Sequence, residues 1–360
     1  MHMIPGLTLG APGIYRYPEP TPKMLDGSRM DVCAFVGVAP RGPVRLPIES
    51  ENGTHLDSIL SLDKPKRRSV AVAVESWNEY QRQFGGFEGP GRLPYAVALF
   101  FEQGGRRAYV VRIVHEYVPK NNPTDQQIIE GRIKNCGGVA EGRLPRVVSG
   151  SGQPGQPELR ARNEGSWGNR LQASMGFTAS PVTLLPGTTA TELVVDESEV
   201  LVAGSLVRLS LPAAEPEPAA EVLRFVSFIR RRGEDKSNAT TLRVKLETAV
   251  SRTPDAAELI EGVFWVRDGA GLTEKWEKIG LSSLHPRWLG WVLYRESQLV
   301  FPHAAWVNGA ILPEEPELVP FAPSFQADGA AATFTGGEDR YGEIEFADFF
   351  DDTWKVNDAD

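Results

Sequence analysis

The clearest pattern of apolar and polar positions lies between residues 31 and 114. Val32-Cys33-Ala34-Phe35-Val36-Gly37-Val38-Ala39 is an apolar run of strand length, and it stops at Pro40-Arg41-Gly42-Pro43, where two prolines and a glycine cannot continue a ladder. A second apolar run, residues 70–74, leads through Glu75-Ser76 into residues 77–84, where Trp77, Tyr80 and Phe84 recur at the helical period. Ser76 stands in the N-cap position, Glu79 is placed to complete a capping box, and Gly85-Gly86 supplies the stop. Pro94 opens a second helix over residues 95–102, Gly104-Gly105 ends it, and residues 108–114 read as a buried strand. The predicted order is strand, strand, helix, helix, strand, with the run at residues 32–39 expected as a central strand.

Outside this stretch the pattern changes twice. Residues 1–28 hold Pro5, Pro12, Pro18, Pro20 and Pro22, a density that denies them helix and central-sheet positions and predicts an extended arm with one short strand around Ile14 and Tyr15. Residues 115–155 are rich in proline and glycine, with one helix candidate over 123–135 that turns Ile128, Ile129 and Ile133 inward. Period-two runs then follow at 171–175, 191–195, 206–211, 222–229 and 241–246, the signature of a small β-barrel or sandwich. Residues 272–279 form a short amphipathic stretch, a helix begins at Trp288, and residues 302–329 read as loop. The predicted fold class is α+β: an α/β-like core with a mixed sheet, an inserted all-β domain and an extended terminal arm. The expected domains are an arm (1–28), the first part of the core (29–165), the β insertion (166–262), a helix-and-loop return to the core (263–337) and an acidic, aromatic segment (338–360).

Composition narrows the chemistry. With 360 residues, 41% of them hydrophobic, the chain is long enough for two or three cores. No run approaches 18 apolar residues and the first residues do not read as a secretory signal, so cytoplasmic synthesis without membrane insertion is expected. Cys33 and Cys136 are too few for a disulfide framework or a thiolate metal site, and Cys33, inside an apolar run, is expected to be buried and inert.

The net charge is −9, and residues 338–360 alone hold nine carboxylates against Arg340 and Lys355, a local −7. With basic residues otherwise scattered, no nucleic-acid face is expected; the one dense run, at 64–68, reads as a solvated loop. Gly150-Ser151-Gly152-Gln153-Pro154-Gly155 has the glycine spacing of a dinucleotide loop, but Pro154 and Pro157 exclude the helix that such a loop must open. His285 precedes a helix with no second histidine at ligand spacing, and reads as a packing or capping residue. No catalytic motif, metal ligand set or cofactor is expected, and the protein is read as not an enzyme. Phe346, Phe349, Phe350 and Trp354 fall on one helical face among the acids of the last segment, which predicts docking onto protein through these rings.

Taken together, Ala11-Pro12-Gly13-Ile14-Tyr15, residues 34–43, Trp77-Asn78-Glu79-Tyr80, Phe84-Gly85-Gly86-Phe87, residues 104–112, Gly165-Ser166-Trp167-Gly168-Asn169 and residues 281–300 occur in one order along most of the chain. In these the chain resembles the tail sheath proteins of contractile phage tails and related contractile injection systems. The resemblance implies a structural subunit of a helical contractile sheath around an inner tube, assembled by arm and strand exchange and shortened by rigid-body rearrangement of subunits. Its partners would be other sheath subunits, the inner tube protein, and baseplate and cap proteins. It would assemble in the cytoplasm and become part of a phage tail or phage-tail-like particle. Pro12, Gly13, Ile14 and Tyr15 of the arm, with Phe346, Phe349, Phe350 and Trp354, are the expected assembly residues. The sequence departs from the family after its acidic stretch, where family members continue into a region that completes the core domain. A sheath-like adaptor at a baseplate or cap, or a module that engages a partner or surface glycan through the β insertion, is the alternative.

Overall fold

The computed structural model describes residues 31–47, 67–69, 71–114, 138–149, 155–215, 217–231, 241–302, 306, 309–327, 329–344 and 349. The first unit comprises β1 (Val32–Val38), β2 (Arg45–Pro47), β3 (Arg67–Ser69), β4 (Val72–Val74), α1 (Trp77–Phe84), α2 (Leu93–Glu102) and β5 (Arg107–Ile113). The Ser76 cap forms as expected, while the Glu79 side chain reaches the amide of Glu75, one residue before the cap, rather than that of Ser76 as a capping box would. Ser76 Oγ accepts from the Glu79 amide at 3.2 Å and the Glu79 carboxylate accepts from the Glu75 amide at 2.8 Å, so two donors at the helix start are satisfied together.

β5 is the middle strand of a three-stranded sheet, parallel to β1 and antiparallel to β4. The expected central position of the first strand is therefore corrected: among the described residues β1 is an edge, because the last strand of the unit takes the place between β1 and β4. Cys33 is likewise exposed rather than buried, lying near the start of that edge strand. Tyr80, Phe84, Leu93 and Val97 of the helices pack on Val74, Ala108 and Val110 of one sheet face. Phe35 joins them from β1, edge-on to Phe100 with ring centroids 5.4 Å apart. Part of the basic run is strand rather than loop: Arg67 and Arg68 lie in β3, paired with β2.

The rest of the described chain is mostly strand. β6 (Glu141–Arg143), β7 (Val147–Ser149) and β8 (Glu158–Ala161) precede β9 (Gln172–Val182), β10 (Glu192–Asp196), β11 (Leu206–Leu211), β12 (Ala220–Arg231), β13 (Thr241–Leu246), β14 (Ala256–Arg267) and β15 (Thr273–Ile279). Then come α3 (Leu289–Glu296), β16 (Val300–Pro302), β17 (Ile311–Pro313) and β18 (Ala332–Thr333). Eight of these strands make one sheet in the order β10-β13-β12-β11-β14-β9-β18, with β15 on β14. Small sheets β16-β8-β6 and β17-β7 accompany it. The amphipathic stretch at 272–279 is thus the strand β15, and β14 runs unbroken through residue 262.

The long pair β9 and β14, in register from Ala257 opposite Val182 to Arg267 opposite Gln172, serves two cores. One end contributes Val182, Ala257 and Leu259 to a cluster with Leu193, Leu209 and Val244. The other end contributes Met175, Phe177, Phe264 and Val266 to a cluster with Trp288, Leu293 and Trp306. Two hydrophobic cores are therefore joined by continuous backbone ladders rather than by a linker. No described helix is long and apolar enough to cross a membrane.

Candidate assembly surfaces and the arginine seam

Among the described residues, helices cover one face of the three-stranded sheet; the first half of the other face is exposed, while Ile113 at its far end is buried. Parity along β1 and β5 puts Phe35, Gly37, Ala108, Val110 and Arg112 toward the helices and leaves Val32, Ala34, Val36 and Tyr109 on the other face. On that second face Val36 is 58% exposed, Val32 40% and Tyr109 37%, with Ala73 of β4 exposed beside them. Exposed side chains clustered this way make an apolar patch beside the parallel β1–β5 pair, the kind of pairing that is usually buried on both faces. The outer edge of β1 also has no paired strand among the described residues. A second apolar patch lies on α2, where Tyr95 and Leu99, one turn apart, are exposed beside Phe87, which stacks between Trp77 and Tyr95.

Where this unit meets the rest of the chain, charged groups make the joint. Arg112 is buried at the end of β5, and its guanidinium donates to four carbonyls: Ala39 at 2.8 Å, Gly42 at 2.8 Å, Pro40 at 3.1 Å and Glu164 at 2.9 Å. Burial pulls its pKa below the usual arginine range, partly opposed by Glu164. These bonds fix the turn after β1, where Gly42 has φ 111° and an added Cβ would fall 2.4 Å from the Phe84 ring, so that only glycine fits.

The turn so fixed presents Arg41. Its Nη1 lies 2.5 Å from Asp268 Oδ2 and its Nη2 donates to the Gln81 carbonyl at 3.0 Å. Asp268 is 3% exposed, and its Oδ1 accepts from the Ala270 and Leu272 amides, so the carboxylate is held from both sides. Asp339 makes a further contact: Oδ1 accepts from the Ser166 amide at 2.9 Å and Oδ2 from Ser166 Oγ at 2.5 Å. The acidic segment thus begins as an anchored piece of chain. Burial, and then the nearby Asp339, push the Tyr341 phenol up to about 12.

Of the expected assembly residues, Phe349 is described and is 51% exposed. Pro12, Gly13, Ile14, Tyr15, Phe346, Phe350 and Trp354 lie outside the described residues, as do the helix candidate at 123–135 and the glycine-spaced stretch at 150–154. His285 packs its ring on Gly280 and accepts from the Arg287 amide at Nδ1, 3.0 Å away. Among the described residues no group of histidine, cysteine, aspartate and glutamate is arranged to hold a metal ion.

Sequence reasoning did not single out Arg41, Arg112, Asp268 or Asp339. Arg112 carried a legible sign, since it shares the parity of Ala108 and Val110 and so faces the helices. Compared with known proteins, the sequence matches no family model and no curated protein.

Proposed function

We propose that this chain is a structural subunit of a helical contractile sheath, working through surfaces that are completed by neighbouring protein rather than through an enzymatic site. The observation that carries this is the incompletely covered sheet: a mixed α/β layer whose second face, around Val36 and Tyr109, is apolar and exposed next to a strand edge that is unpaired among the described residues. Burying one such valine on association is worth about 1.5–3 kcal/mol, so a handful of these side chains is a strong drive to add a layer. An unpaired edge accepts a strand from another segment, which is the chemistry that arm exchange requires. The resemblance adds the remaining elements: an extended arm over residues 1–28 for exchange, partners in the tube, baseplate and cap, and contraction by movement of whole subunits. The shared ladders of β9 and β14 suit the last, since a unit that moves rigidly needs cores that do not shear apart.

Negative-stain microscopy of the native particle tests the proposal. The expected result is this chain repeating along a tube, marked with an antibody or tag. Label confined to one end of the particle would instead make it a baseplate or cap adaptor, and absence from any tubular particle would overturn the sheath reading. Deleting residues 1–17 should leave the described units folded and abolish higher assembly, as read by thermal denaturation and light scattering.

A further inference from the structure

At the seam, between the turn after β1, the end of α1 and the loop following α3, the surface sinks into a cleft of about 310 Å³. Arg41, Arg82, Arg162 and Arg295 line it, against a single carboxylate, Glu296. Even with Asp268 set against Arg41, the cleft is net positive, a local reversal of sign in a chain of net charge −9. The Glu296 carboxylate is already engaged, accepting from the Trp276 indole N–H at 3.0 Å.

Arg162 is the informative member. Its guanidinium sits 3.7 Å from the centroid of the Phe301 ring and donates to the Tyr294 carbonyl at 2.9 Å, and among the described residues no carboxylate forms an ion pair with it. Burial holds its pKa down to about 10, with only partial relief from Tyr294 and Glu274. Glu274 is committed elsewhere, accepting from Ser297 Oγ at 2.7 Å and the Gln298 amide at 2.8 Å. A half-buried guanidinium with no ion pair among the described residues is costly, and an incoming anion relieves that cost with charge-assisted hydrogen bonds.

We infer that this cleft binds an acidic peptide, whose carboxylates are received by the arginines and whose apolar atoms rest on Trp167, Leu272 and Leu299. A volume of this size belongs to ligands larger than one oxyanion, and the apolar lining gives a free phosphate nothing to cover. Every copy of the chain carries a peptide of this chemistry: residues 345–360 interleave six carboxylates with Phe346, Phe349, Phe350 and Trp354. The inference does not depend on the sheath reading, because the cleft and its charge belong to this chain alone.

The probe is a labelled synthetic peptide of residues 345–360, titrated by fluorescence anisotropy into the full chain. It is also titrated into a full chain whose own six carboxylates in that segment are changed to amides, which empties the cleft if the segment occupies it in cis. Saturable binding to the amide variant alone supports occupation by the chain's own segment, and binding to both supports a neighbour's. Arg82→Gln with Arg295→Gln, both exposed and so safe for folding, should weaken binding at least tenfold, the loss of about one charge-assisted hydrogen bond. Arg230→Gln, on the exposed part of β12, should not. Four outcomes overturn the proposal: no saturable binding to either chain, unchanged affinity in the double variant, equal affinity for a peptide with amidated side chains, or inorganic phosphate binding where the peptide does not.

Discussion

Replacing Arg112 with methionine keeps most of the side-chain volume and removes every donor that holds the turn after β1. Four carbonyls, of Ala39, Pro40, Gly42 and Glu164, then lose a charged partner at 2.8–3.1 Å. Hydrogen bonds to a charged group contribute about 1.5–3 kcal/mol each, which would sum to far more than is observed for single residues. Against them stands the several kcal/mol needed to desolvate a guanidinium that Glu164 opposes only through space and that has no ion pair among the described residues, a cost the methionine variant avoids. The difference is a loss of about 3–5 kcal/mol, a large share of a typical total of about 5–15 kcal/mol. Arg112→Lys should recover only part of it, because three donors on one nitrogen cannot span four carbonyls. Urea denaturation followed by tryptophan fluorescence gives the overall loss. Hydrogen exchange read by mass spectrometry gives its location, and faster exchange is expected over residues 39–43, beginning with the Arg41 amide that donates to the Phe84 carbonyl. A methionine variant with an unchanged urea midpoint and unchanged exchange at that turn would refute the claim that Arg112 organises the seam.

The Arg41–Asp268 pair should behave as a buried ion pair: Asp268→Asn costs about 3 kcal/mol in thermal denaturation, and a loss below about 0.5 kcal/mol would show that the pair is solvated. Neighbouring positions on β1 should respond oppositely, with Phe35→Asp destabilising the isolated chain by about 2 kcal/mol or more while Val36→Asp leaves its melting unchanged and abolishes assembly; equal destabilisation would refute the face assignment. His285 is held below its ordinary pKa by burial and then by Arg287. The unfolded chain therefore takes up that proton first as pH falls below about 6.5, and stability declines toward acid. His285→Gln should flatten the melting curve against pH in that range, and superimposable curves would show that the imidazole is not desolvated.

Elements with local causes were legible in the residues themselves. α1 begins and ends at Trp77 and Phe84 as expected, because a cap, an aromatic stripe and a glycine stop all lie within a few residues of it. The strands around residues 107–113, 206–211 and 241–246 were legible from apolar runs or period-two alternation for the same reason. Strand β15 was less so, because Lys275, Glu277 and Lys278 dilute an alternation in which Glu274 and Trp276 turn inward.

Which strand is central, the joining of two cores by β9 and β14, and the carbonyls and carboxylates that receive Arg112 and Arg41 follow from packing across the whole chain. Arg41 and Asp268 stand 227 residues apart in the chain, and no local propensity records that separation. A sequence writes where a charge must turn inward, through parity in a strand. What meets that charge is fixed by loop closure and packing across the whole chain, where desolvation has already removed water as the alternative partner.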